Sequence, residues 1–170
     1  MHRSIYLIYI LLVAGLVYIT VMPVVQVGDK HHQSGIGSYL VDGEALPEEH
    51  IVGKARMNPN ITEKDEYNTS VGTLIFDPKA RTNWHSHRTG EILVVVEGKG
   101  YYQEKGKPPI LVQKGDIVRI PKNVEHWYGA SKDQKIRYID IVPNLNNDKL
   151  GWQKPVSAKE YELASKNLDE

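Results

Sequence analysis

Cysteine is absent from this 170-residue sequence. That excludes disulfides, thiol catalysis, cysteine-ligated zinc, iron–sulfur clusters and a lipid-modified cysteine anchor. Any metal site must therefore use nitrogen and oxygen donors. An excess of either charge is absent too, since 21 Lys and Arg face 21 Asp and Glu. Without a basic surplus, nucleic acid is not an expected partner. Acidic tails, collagen-like repeats and Gln/Asn-rich tracts are also missing.

The apolar residues are unevenly spread. Residues 1–27 hold 20 of them with a single charge, Arg3, whereas residues 28–170 hold 49 in 143. From Ile5 to Val27 no charge occurs, and about 20 helical residues suffice to cross a bilayer core. The stretch is apolar on every face rather than along one stripe. This predicts an N-terminal apolar helix over 1–27, a transmembrane signal anchor or a cleaved signal peptide, with membrane contact through residues 5–27. No Ala-x-Ala-like site follows, which favours the anchor. Either reading places the remainder outside the cytoplasm, in the periplasm or at the cell exterior, and secreted if residues 1–27 are cleaved.

Residues 28–50 are rich in Gly and charge and read as a linker or lead-in. His31 and His32 lie there and are expected to be solvated. From about residue 51 to 142, short β-branched runs alternate with turn residues: 71–76, 92–96, 101–104, 110–112, 116–120, 125–128 and 136–142. The separators include EGKG, KGKPP, QKG and PKN. This rhythm predicts an all-β sandwich or small barrel over residues 51–146. Residues 147–170 form a C-terminal extension. In it, Ser157 and Glu160 have capping-box spacing ahead of a short helix whose Tyr161, Ala164 and Leu168 would pack on the barrel.

Three of the seven histidines stand out. His85 and His87 are two apart, so on a strand both imidazoles share one face. Arg88-Thr89-Gly90 reads as a turn, after which Glu91 opens a strand with Leu93 and Val95 on its face. His126 follows a Pro-Lys-Asn turn. Three neutral imidazoles and one carboxylate suit a divalent first-row ion with positions left open. The expected metal ligands are His85, His87, Glu91 and His126, and the ion is Mn, Fe, Ni or Zn.

These residues carry a resemblance to the cupin superfamily, whose first motif runs G-x5-H-x-H-x3,4-E-x6-G. Here KARTNWHSHRTGEILVVVEG puts His85, His87, Glu91 and Gly98 in register, with Lys79 in place of the first glycine. In the second motif, G-x5-P-x-G-x2-H-x3-N, Gly115, Pro121 and His126 match. Asn123 stands for the inner glycine and Ala130 for the last asparagine. Asn tolerates left-handed backbone. Lys79 disfavours it, so the first turn is expected to depart from the glycine form.

The resemblance implies a cupin jelly roll, or double-stranded β-helix. The chain is similar to a subgroup of small bacterial cupins, grouped near carboxymuconolactone decarboxylases, that includes manganese-dependent hydroxynitrile lyases. Those lyases carry Gln where Glu91 stands, and histidines where this chain has Tyr128 and Tyr138. The implied function is a metal-dependent oxygenase, quercetinase-like among others, or a lyase. It would act on a small organic acid, ketone or phenol, with Glu91, Tyr128 and Tyr138 as catalytic candidates. The alternative is a non-catalytic metal or small-ligand binding module on a membrane tether. Thr82, Tyr102 and Asp140 join the two tyrosines as expected pocket walls. Trp84 and Trp127 should point away from the ligands, under the C-terminal segment or at a subunit contact. Trp152 is expected with them, and the chain is expected to be a homodimer.

Overall fold

A computed structural model of the protein describes the backbone of residues 6–13 and 16–23, and residues 39–168 in full apart from the side chain of residue 167. His31 and His32 lie outside the described residues. The chain divides into two compact units, Met1–Gly37 and Ser38–Glu170.

The first unit corrects the N-terminal expectation. In place of a helix it holds two antiparallel strands, β1 (Tyr6–Val13) and β2 (Leu16–Pro23), with Val13 opposite Leu16 and Tyr6 opposite Pro23. Among the described residues no helix is long and apolar enough to cross a membrane. The anchored, extracytoplasmic localisation rested on that helix and falls with it. The physical reason lies in the residue types. Ten of the sixteen strand residues are β-branched or aromatic, and such side chains lose χ1 freedom in a helix but pack well on a pleated surface. Length and hydropathy alone do not register that preference.

The second unit is mostly β. Its elements are β3 (Glu44–Ala45), a 3-10 turn at Glu48–His50, β4 (Ile51–Val52), β5 (Ala55–Ile61), β6 (Thr69–Phe76), β7 (Arg81–Thr82) and β8 (His85–His87). There follow β9 (Glu91–Glu104), β10 (Ile110–Gln113), β11 (Ile117–Ile120), β12 (His126–Ala130), β13 (Ile136–Pro143), a 3-10 turn at Leu145–Asn147, β14 (Leu150–Trp152) and α1 (Ala158–Leu168). The strands form one curled sheet in the order β14-β8-β12-β9-β13-β6-β5-β3, with β10 and β11 on β9, β7 on β12 and β4 on β7.

Strand β9 makes the curl. Its first half pairs with β11 and β13, and its second half with β10 and β12. The sequence reading split this strand at EGKG, but Gly98-Lys99-Gly100 is a corner rather than a break. Gly98 has φ +79°, and a Cβ there would meet Lys135 O at 1.9 Å. A Cβ on Gly100 would meet Gly129 O at 2.0 Å. The two glycines let one strand leave β13 and join β12 without losing its ladder.

The alternation of β12 divides the core. His126, Tyr128 and Ala130 face the barrel interior, beside Phe76, Leu93, Val95 and Tyr138. Trp127 faces the other way and packs with Trp84, Tyr101, Val156, Tyr161 and Ala164. Trp84 and Trp127 thus lie under the C-terminal segment, as expected. Each aromatic side chain buried there contributes about 3–5 kcal/mol against truncation to Ala. Helix α1 opens with the expected capping box: Ser157 N and Oγ donate to Glu160 Oε2 at 2.8 and 2.7 Å, and Glu160 N donates to Ser157 Oγ at 3.2 Å.

The turn before β7 differs from expectation. Lys79 adopts φ +70°, the conformation of the glycine it replaces. Its backbone is held from both sides: its N–H donates to Ser131 O at 2.9 Å, and its carbonyl accepts from Arg81 Nη1 at 3.1 Å. Tertiary hydrogen bonds outweigh a local penalty of about 1–2 kcal/mol.

Candidate metal centre

Two short motifs meet because two turns force them together. Gly90, at φ +86°, closes the turn between β8 and β9, and its N–H donates to His87 O at 3.3 Å. Asn123, at φ +60°, turns the chain into β12 while its N–H donates to the same His87 carbonyl at 2.8 Å. Antiparallel pairing then sets His126 directly opposite His85, with ring centroids 4.2 Å apart. Glu91 starts β9 and is buried with Leu93 and Val95, on the face the alternation predicts.

His85, Glu91 and His126 offer ligand atoms within 4.8 Å of one another. Glu91 Oε2 is 2.8 Å from His126 Nε2, 3.7 Å from His85 Nε2 and 3.8 Å from His87 Nε2. Each Nδ1 is engaged elsewhere: His85 with Asn83 O at 3.0 Å, His126 with Val124 O at 2.9 Å, and His87 with Asp148 Oδ2 at 2.7 Å. A neutral imidazole has one N–H, and with it on Nδ1, where those acceptors lie, Nε2 keeps a lone pair. All three Nε2 atoms face one carboxylate oxygen; a proton bridges His126 Nε2 and Glu91 Oε2 at 2.8 Å when no cation is bound, and a cation would take that proton's place. A cation answers that arrangement, and the fixed Nδ1 contacts are the outer support metal-ligating histidines use. The residues fit a divalent first-row ion, whose identity they do not specify.

The electrostatics agree. Burial lowers the His85 pKa more than Glu91 raises it, which favours the neutral ring. Burial alone would raise the Glu91 carboxyl, but hydrogen bonds from His126 and His85 hold it well below the usual carboxylate range. Tyr128 donates its hydroxyl to Glu91 Oε1 at 3.0 Å, and burial together with the Glu91 charge pushes its pKa well up. Asp140 is likewise pushed well up by burial and by Glu91.

A cavity of about 260 Å³ opens beside the cluster. Thr82, His85, His87, Tyr128 and Asp140 line it. Tyr102 and Tyr138 belong to the buried core instead. Tyr138 donates its hydroxyl to Gly129 O at 3.2 Å, and Tyr102 donates to Glu104 at 3.2 Å. Burial raises both of their pKa values. Trp152 corrects another expectation. Strand β14 pairs with β8, placing Trp152 opposite His85 and Leu150 opposite His87. Its indole stacks on His50 at 4.3 Å and lies 4.8 Å from the His85 ring, so it walls the cavity rather than joining Trp84 and Trp127. Sequence reasoning missed Asp148, Leu150 and His50. Nothing local marks Asp148 as a histidine partner 61 residues away.

A curled β-sheet that directs histidines and a glutamate from neighbouring strands into one cavity defines a small β-barrel protein with a candidate metal centre. The chain belongs to the cupin family. The Cupin domain model matches residues 72–142. A cupin-like protein from Thermotoga maritima MSB8 superposes with a TM-score of 0.73 at 38% identity, over 75% of this chain and 97% of that one. The chain is also similar to (R)-mandelonitrile lyase of Granulicella tundricola, 28% identical over 115 residues, which are 68% of this chain and 88% of that protein. Acireductone dioxygenase of Xenopus tropicalis is 24% identical over 114 residues, 63% of this chain and 64% of that protein, so the chain spans less than two thirds of it.

Proposed function

We propose that this chain is a metal-dependent cupin enzyme in which His85, His87, Glu91 and His126 hold a divalent first-row ion. Its substrate is a small organic acid, ketone or phenol, and oxygen-dependent cleavage is the favoured reaction. The observation that carries this reading is the convergence of three Nε2 atoms on Glu91 Oε2 at the polar end of a cavity. Manganese, iron, nickel or zinc bound there supplies Lewis acidity, and the redox-active ions among them open oxygen chemistry.

The chain's own residues define the rest. Glu91 and three neutral imidazoles leave a divalent ion with a net charge near +1, which attracts carboxylate or enolate oxygens. Tyr128, its hydroxyl donating to Glu91 and its pKa raised, keeps its proton at neutral pH and orients the carboxylate. The apolar wall, including Trp152 and Phe76, excludes water from the reacting end. Tyr138, committed to a backbone carbonyl, braces the barrel behind Tyr128. Residues 51–146 supply the barrel, and the extension over 147–170 supplies Asp148, Leu150 and Trp152.

Lyase chemistry is the second reading, supported by the similarity to (R)-mandelonitrile lyase over 88% of that protein. It needs a base to take a hydroxyl proton, and Tyr128, whose phenol burial pushes further up, keeps its own proton at neutral pH. Elemental analysis of natively purified protein tests the ligand set, with His126→Ala as control. Oxygen uptake after iron, manganese or nickel loading, across diketones, phenols and cyanohydrins, tests the reaction. Stoichiometric metal lost in His126→Ala, with oxygen consumed on a diketone or phenol, is the expected result. Cyanohydrin cleavage alone selects the lyase reading, and metal binding without any turnover selects a binding module. A homodimer remains part of the proposal, and light scattering on the purified chain measures it.

A further inference from the structure

The polar side chains at the inner end of the cavity are largely engaged within the protein. Thr82 Oγ1 donates to Tyr128 O at 3.3 Å, and the Tyr128 hydroxyl donates to Glu91. Asp148 accepts from His87 Nδ1 and from both the N–H and the hydroxyl of Thr89. Asp140 differs. Its side chain lines the cavity at 8% exposure, and its Oδ1 has no hydrogen-bond partner. Of the four buried side-chain atoms without a partner among the described residues, this one alone belongs to a residue lining the cavity. Its cross-strand neighbour on β6 is Gly72, which has no side chain to offer it. A buried acceptor left open beside a cavity awaits a donor from whatever fills that cavity. Ionised or protonated, a carboxyl group keeps acceptor capacity.

The rest of the wall says what surrounds that donor. Leu46, Met57, Leu74, Phe76, Val142 and Leu150 supply its apolar lining. A volume of about 260 Å³ exceeds the roughly 150 Å³ that accommodates benzene by the space of a short polar arm.

We propose that Asp140 is a specificity-determining residue that accepts a hydrogen bond from a substrate hydroxyl, and that the substrate is a single-ring or short branched α-hydroxy carbonyl compound. Its apolar body lies against Leu74, Phe76 and Leu150. Because the Asp140 carboxyl adjoins that of Glu91, the hydroxyl lies next to the carboxylate that reaches the histidine cluster. This inference rests on the preceding reading in taking the cavity as the substrate site and the substrate as a carbonyl compound.

The test uses 2-hydroxyacetophenone and its methyl ether, 2-methoxyacetophenone, titrated calorimetrically into the full chain, both metal-free and manganese-loaded. The wild type should bind the alcohol about 10-fold or more tightly than the ether, because the ether leaves the acceptor unpaired. Asp140→Leu should reduce that preference to within about 2-fold while retaining bound manganese. Asp140→Asn, which keeps an acceptor, should retain part of it and serves where the Leu variant folds poorly. Failure of the alcohol to bind, equal affinities in the wild type, or an unchanged preference in both variants overturns the proposal. A preference that depends on Asp140 in a chain that binds no metal upholds it while sinking the metal-enzyme reading. Metal binding and turnover with a preference indifferent to Asp140 does the reverse.

Discussion

Replacing Asp148 by Asn isolates the outer support of the metal centre. His85 and His126 rest their Nδ1 atoms on backbone carbonyls of Asn83 and Val124, which no side-chain substitution removes. His87 alone rests on a side chain, at 2.7 Å from Asp148 Oδ2. The other carboxylate oxygen accepts from Thr89 N at 3.1 Å and Thr89 Oγ1 at 2.9 Å. Burial would raise the Asp148 pKa, but the bonds from His87 and Thr89 hold it below the usual range, so the group is an anion at neutral pH. An amide in its place supplies one oxygen for two sets of donors. Either His87 Nδ1 or Thr89 N then faces an NH2 group, and the negative charge behind the imidazole is gone. Loss of such a carboxylate support costs about 10–100-fold in metal affinity, or about 1.4–2.7 kcal/mol. The broken Thr89 contacts should cost the metal-free fold about 1–2 kcal/mol more. Chelator-competition titration with manganese or zinc measures the first effect, and urea unfolding of the apoprotein the second. Saturating stoichiometry should be unchanged, because no ligand is removed. Affinity in Asp148→Asn equal to wild type, where His87→Ala loses metal, would refute the argument for this clamp. Undiminished affinity in His87→Ala itself would remove His87 from the ligand set.

Gly98→Ala should lower stability by more than about 2 kcal/mol, because the new Cβ would meet Lys135 O at 1.9 Å at φ +79°. A urea midpoint equal to wild type would show that β9 does not need its corner. Lys79→Gly should raise stability by about 0.5–1 kcal/mol, since it relieves a left-handed lysine at φ +70°; a lower midpoint counts against that strain. Burial would raise the Glu160 pKa, but the Ser157 contacts lower it overall. A depressed folded-state value means stability that is present above the unfolded pKa near 4.3 and lost as pH falls through the folded value. The stability difference between wild type and Glu160→Gln should therefore shrink below about pH 4. A difference constant from pH 7 to pH 3 would exclude the linkage.

The residues written into the cupin motifs were legible because their spacing encodes local geometry. His85-x-His87 places two rings on one face through strand alternation alone. Arg88-Thr89-Gly90 reads as a turn because glycine accepts φ +86°. Ser157 and Glu160 announce a helix start in four residues. What misled was whatever has two solutions locally. The apolar run of residues 5–27 satisfies the length of a membrane helix, yet its β-branched content suits the paired strands β1 and β2. EGKG reads as a turn in isolation and becomes a corner within β9 only because Gly129 and Lys135 approach its glycines.

By itself, then, the sequence determined that any metal site here uses nitrogen and oxygen donors, that four such donors occur at strand-compatible spacing, and that the body is β. Each of these follows from residue type and short-range periodicity. Only the tertiary structure decided that Asp148 grips His87, that Trp152 walls the cavity, that Tyr138 spends its hydroxyl on Gly129, and that Asp140 is left with an open acceptor. Those facts depend on which strands pair and in what register. Register is set by the burial of a whole face at once, and no local stretch of sequence contains it.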